Sequence, residues 1–145
     1  MKRAFNFENL ANLVKGYVII ENLTKELRAK MENEYKDIYS NAFIHLMFIK
    51  HVDGISQMEL CEFTGTNKST MVRNVKELLD NEYVIKQTSP RANENELYLT
   101  EKGKQVVEEI EKWVFDKEKE LDPESKNKEY ISQLLIKILN DYIVK

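Results

Sequence analysis

Within twelve residues, Ser56 to Asn67, the chain carries two helix starts and one helix stop, and no other stretch limits its fold so tightly. Ser56 is followed three residues later by Glu59. This is capping-box spacing, in which a hydroxyl and a carboxylate satisfy each other's exposed backbone amides. A short helix from Gln57 to Phe63 is expected, closed by Gly65 in the left-handed position that glycine adopts without steric cost. Asn67 then caps a second helix, which Met71, Val72, Val75, Leu78 and Leu79 carry to about Asn81. Of these, Met71, Val72, Val75 and Leu78 are assigned to the core. Two short helices joined by a three- or four-residue turn containing glycine form the pattern of a helix-turn-helix.

The flanks are mostly helical. Leu10, Leu13, Val14, Tyr17, Leu23, Leu27, Met31 and Tyr35 recur at helical spacing, so one long helix is expected from Phe7 to Tyr35, with Gly16 as its weak point. A second, densely apolar helix runs from Asn41 to Val52 and ends at the Asp53-Gly54 turn. After the central pair, Tyr83 to Thr88 and Glu96 to Leu99 are β-compatible, and the segment between them is polar and turn-rich, which reads as a hairpin. Thr100 caps another long helix with Val106, Val107, Ile110, Trp113, Val114 and Leu121 as its apolar positions. Asp122-Pro-Glu-Ser breaks the chain before a last helix carrying Tyr130, Ile131, Leu134, Leu135, Ile138, Leu139 and Tyr142 on one face. The fold class is mainly α with a small β-hairpin.

Composition excludes several kinds of chemistry. At 145 residues the chain is long enough to bury a core without metals or disulfides, and a single cysteine, Cys61, rules out an internal disulfide. His45 and His51 are six apart, which does not place them on one helical face, so no metal or other cofactor is expected. The sequence contains no glycine-rich phosphate loop, nucleophile elbow or HExxH pattern, and no enzymatic activity is expected. The apolar stretches are too short to cross a bilayer and no export signal is evident, so a cytoplasmic location is expected. The net charge of −3 runs against nucleic-acid binding on average, but Asn67 to Lys76 holds Lys68, Arg73 and Lys76 with no acidic residue. Acid is concentrated instead from Glu108 to Glu124.

The order of elements resembles the MarR family of winged helix-turn-helix transcriptional regulators over essentially the whole chain. Three stretches carry the resemblance: Ser56-Gln-Met-Glu-Leu-Cys-Glu-Phe-Thr-Gly, Asn67-Lys-Ser-Thr-Met-Val-Arg-Asn-Val-Lys-Glu-Leu, and Leu99-Thr-Glu-Lys-Gly. Two departures stand out. Glu82 occupies the place of the family's glycine after the second helix of the pair, with Asn81 beside it suited to the left-handed turn instead. Arg91, Ala92 and Asn93 occupy the family's Asp-Arg-Arg run in the wing.

The resemblance implies one domain spanning 1–145, with a DNA-binding lobe at about 38–100 and dimerisation helices at about 5–36 and 101–145. It also implies a repressor that binds a palindromic operator as a homodimer. Lys68, Ser69, Thr70, Arg73 and Asn74 would lie near the N-terminus of the recognition helix, where base edges are read. Arg73 is suited to guanine and Asn74 to adenine, each in a bidentate manner. Lys76, Arg91 and Asn93 complete the expected DNA contacts. The residues alone also allow Ser69 and Thr70 to be capping groups, and Arg73 and Lys76 to be a solvated face. Many family members bind small aromatic ligands in a crevice, for which Tyr17, Tyr39, Phe43 and Trp113 are candidates and equally candidates for ordinary core. Two competing functions are a winged helix that binds protein instead of DNA, and a small ligand-binding module or enzyme.

Overall fold

The computed structural model describes residues 3–88 and 94–144. The chain divides into two compact units, Met1–Ser40 and Asn41–Lys145. In the first, helix α1 spans Asn12–Glu34. It starts five residues later than the periodicity suggests, because the Leu10 amide bonds the Phe7 carbonyl in a turn at 3.0 Å. Leu27 and Met31 are its buried residues, whereas Leu13, Tyr17, Val18, Ile19 and Ile20 leave apolar surface exposed.

The second unit holds α2 (Ala42–His51), α3 (Gln57–Thr64), α4 (Lys68–Asp80), β1 (Val84–Thr88), β2 (Asn95–Leu99), α5 (Glu101–Leu121) and α6 (Lys128–Ile138). A π-helical segment, Leu139–Val144, continues α6. The two strands pair antiparallel with Val84 opposite Leu99 and Thr88 opposite Asn95. A short third edge joins them, where Ser56 bridges Glu96 and the Leu97 amide bonds the Ile55 carbonyl at 2.9 Å. Phe43, Leu46, Ile49, Ile55, Leu60, Met71, Val75, Leu78, Leu97, Val107 and Ile110 form the buried core of this unit. A fold that is mainly α with a two-stranded hairpin is thus present.

Helix α4 ends differently from the sequence expectation. Glu82, not Asn81, takes the left-handed conformation, at φ 62° against −94° for Asn81. The reason is register. The helix runs to Asp80, Asn81 becomes its last half-helical residue, and the left-handed turn falls one residue later. The Tyr83 amide then reaches back to the Leu78 carbonyl at 2.9 Å and the Glu82 amide to Leu79 at 3.1 Å, the paired closure of a Schellman motif.

The root of the hairpin is sealed at Tyr83 and Thr100. The Thr100 hydroxyl donates to the Glu82 carbonyl at 2.6 Å and accepts from the Gly103 amide at 3.1 Å, so one side chain ties the hairpin root to the start of α5. Gly103 lies so close to this joint that a Cβ there would meet the Tyr83 carbonyl oxygen at 2.2 Å. The Lys102 ammonium adds a contact at 4.2 Å to the Tyr83 ring centroid. At the far side of the unit, Glu111 of α5 binds Lys50 and His51 at the end of α2.

Gly103→Ala is expected to lower stability by about 1–3 kcal/mol, the usual cost of overpacking a close contact. Thermal or denaturant unfolding measures this, and an unchanged midpoint would show that the joint yields without cost.

Candidate nucleic-acid interface

Helix α4 is positioned by local chemistry at its N-terminus. The Asn67 side chain accepts from the Thr70 amide at 2.8 Å and from the Ser69 hydroxyl at 2.9 Å. One step earlier, the Ser56–Glu59 capping box is complete in both directions, at 2.9 Å and 3.1 Å, and Gly65 closes α3 at φ +67°. The turn between the helices is also held from within. Thr64 donates to the Leu60 carbonyl at 2.6 Å and meets the Thr66 hydroxyl at 2.9 Å, and Thr66 in turn lies 3.4 Å from Nε2 of His45 on α2. His45 is buried, and that burial pushes its pKa down to about 4, so the imidazole is neutral at ordinary pH.

Burial along α4 follows a clear phase. Met71, Asn74, Val75 and Leu78 face inward, while Ser69, Val72, Arg73 and Lys76 share one exposed stripe at positions i, i+3, i+4 and i+7. Lys68 is exposed at the start of the helix, and among the described residues neither Lys68 nor Arg73 makes an ion pair. Lys76 pairs with Asp80 at 2.5 Å, but both side chains are solvent-exposed and such a pair is weak.

Two sequence expectations fail here. Asn74 is only 8% exposed and turns into the core, so it does not present its amide to a groove. Val72, expected in the core, is 56% exposed. Both follow from one fact: the inward face is set by Met71, Val75 and Leu78, and 74 falls on it while 72 does not. Ser69 is engaged in the cap, and Thr70 is partly buried behind it. Arg91 and Asn93 lie outside the described residues.

Beside the stripe, a recess of about 330 Å³ opens between α3, the first turns of α4 and the strands. Met58, Cys61, Lys68, Val72 and Lys86 are among its lining residues. Sequence reasoning missed Met58, Lys86 and the exposure of Val72. The polar spacing 69, 73, 76 already marked the outer face and would have placed Val72 there. Burial pushes the Cys61 thiol pKa up, with Lys68 opposing.

Of the ligand candidates, Tyr17 and Tyr39 belong to the first unit and Phe43 and Trp113 to the second. Phe43 is buried and Tyr17 exposed. No group of three or more potential metal ligands occurs among the described residues. Nor, among them, is any helix long and apolar enough to cross a membrane.

A capped helix pair, a glycine-closed turn between them and a hairpin docked on the next helix define a winged helix-turn-helix protein. Residues 38–92 match the model of the MarR family. Among solved structures, a MarR transcriptional regulator from Methanosarcina mazei Go1 is 25% identical with a TM-score of 0.69, over 92% of this chain and 96% of that one. The transcriptional regulator BldR from Sulfolobus solfataricus shares the fold at 19% identity and a TM-score of 0.73, over 92% and 96%. A MarR-type protein from Listeria monocytogenes, solved in complex with 26mer DNA, shares it at 21% identity and a TM-score of 0.65, over 97% and 92%. No curated protein matches in sequence.

Replacing Asn67 by alanine removes the cap of α4 and is expected to cost about 1 kcal/mol, read by denaturant unfolding. Acid should act on His45. Its folded pKa of about 4 lies below the ordinary 6.5, so the unfolded chain takes up this proton first. Stability is then full above about pH 6.5 and falls as the pH drops towards 4. Glu111 adds to the loss at lower pH. Burial alone would raise its carboxyl, but hydrogen bonds and charge from Lys50 and His51 outweigh this and hold it below the ordinary 4.5. In urea melts from pH 7 to pH 4, His45→Gln should show a flatter profile than the parent. Equal slopes would remove His45 as the source.

Proposed function

We propose that this chain is a sequence-specific DNA-binding transcriptional regulator and not an enzyme, acting in the cytoplasm as a repressor. The observation that carries the reading is the exposed stripe of α4, where Ser69, Arg73 and Lys76 follow Lys68 on a helix whose opposite face is buried. A helix of this kind fits the major groove, with Arg73 reaching base edges and Lys68 and Lys76 holding phosphates. Ser69 and Thr70 serve first as the cap and contribute to phosphate contacts from the first turn. Asn74 has no part as a base reader. Arg91 and Asn93 extend the proposed surface into the wing. The DNA-bound Listeria relative supports the same use of the fold.

Homodimerisation is the second element of the proposal. Helix α6 and the segment after it bury no residue, and Tyr130, Ile131, Leu134, Leu135, Ile138, Leu139 and Tyr142 are each 44% to 71% exposed. A row of exposed apolar side chains on this scale suits a protein partner, and a second copy would set two recognition helices roughly 34–36 Å apart on a palindromic site. Release of the DNA by a small aromatic ligand is the last element of the proposal, and the family resemblance supports it.

The test is binding of the purified protein to the DNA upstream of its own gene at two salt concentrations, alongside Arg73→Ala. Binding that weakens steeply with salt, and roughly ten-fold or more in the variant, is the expected result. No binding to that DNA or to random-sequence DNA at low salt would overturn the reading and put a protein partner in its place.

A further inference from the structure

The stripe of α4 contains one residue that does not suit a purely polar readout. Val72 stands 56% exposed between Ser69 and Lys76, with Arg73 adjacent, on the face where every other member is polar or charged. It also lines the recess with Met58, itself 51% exposed, and Cys61, while Lys68 and Lys86 border the same space. An apolar group is therefore held between the cations of the stripe and those of the recess, whose lining also includes Glu94, with further apolar surface beside it.

We infer that Val72 is a specificity-determining residue that packs against the C5 methyl group of a thymine in the bound DNA. The inference rests on the DNA-binding reading above. On the floor of the major groove, unmodified bases present hydrogen-bond donors and acceptors, with the thymine methyl as the apolar exception. Pressing Val72 against any other base edge strips water from donors or acceptors without replacing their hydrogen bonds, and that is a penalty. Against thymine the same contact removes two apolar groups from water. Cations on both sides fix the phosphates, so the methyl contact is made at a defined place in each half-site. Val72 thus supplies discrimination where Lys68 and Lys76 supply only attraction.

The experiment uses duplexes obtained by selection from random sequence with the full-length protein. Each thymine in a half-site is replaced in turn by deoxyuridine, which removes the methyl and leaves the hydrogen-bonding edge intact. At one thymine per half-site the parent protein is expected to bind about four-fold more weakly after the replacement, the worth of one buried methyl group. Val72→Ala should bind the thymine duplex about as weakly as the parent binds the deoxyuridine duplex, and should show no further loss on deoxyuridine. Alanine at this exposed helical position favours the fold, and circular dichroism checks that α4 persists. Salt-dependent DNA binding that is indifferent to every deoxyuridine replacement overturns this inference alone. Absence of any DNA binding overturns the reading beneath it as well.

Discussion

The approach of Gly103 to the carbonyl of Tyr83 is the constraint on which the lobe depends. At that point the end of α4, the root of the hairpin and the start of α5 meet within one turn of backbone, and there is no room for a side chain. Thr100 completes the joint by bonding to both sides. The Leu-Thr-Glu-Lys-Gly stretch is thus not an arbitrary family mark. Its threonine is a cap and a clasp, and its glycine is the clearance that lets the clasp close. Because the hairpin root is fixed there, β1 and β2 leave the lobe in a set direction, and the recess beside α4 has a defined wall.

A second constraint works on the turn of the helix pair. Capping fixes where α3 and α4 begin, but not the angle between them. That angle is supported by the Thr64–Thr66 hydroxyl pair and by His45 reaching it from α2. His45 is buried and the two threonines partly so, and a buried polar group left without its bond is more costly than an apolar group in the same place. The consequence is a stiff base for the exposed stripe, so that Val72, Arg73 and Lys76 keep their spacing.

Much of this was legible because it is local. Ser56, Glu59, Gly65 and Asn67 act on backbone groups within four residues of themselves, as Thr100 does in capping α5, and the sequence places each of these caps where the structure uses it; the reach of Thr100 back to Glu82 is not local and was not legible. What was not legible depended on rotation and register. Asn74 and Val72 exchange their expected surroundings because a helix with Met71, Val75 and Leu78 inward turns 74 in and 72 out. Glu82 takes the left-handed turn in place of Asn81 because α4 stops one residue further along than the intrinsic preference of asparagine suggests. The apolar rows of α1 and α6 were visible as rows, and as more apolar surface than a small central lobe could cover; which of their residues stay exposed was settled only in three dimensions.

Cys61 sits in the wall of the recess, next to the helix that carries the cationic stripe. As the one thiol in the chain, its placement makes the protein its own reporter. Any label attached to sulfur is confined to the surface where occupancy would change its surroundings, with no competing site elsewhere. The raised pKa means that neutral thiol predominates, so attachment will be slow at neutral pH and faster in mild alkali. Shielding of that sulfur is therefore a direct signal that something has filled the recess.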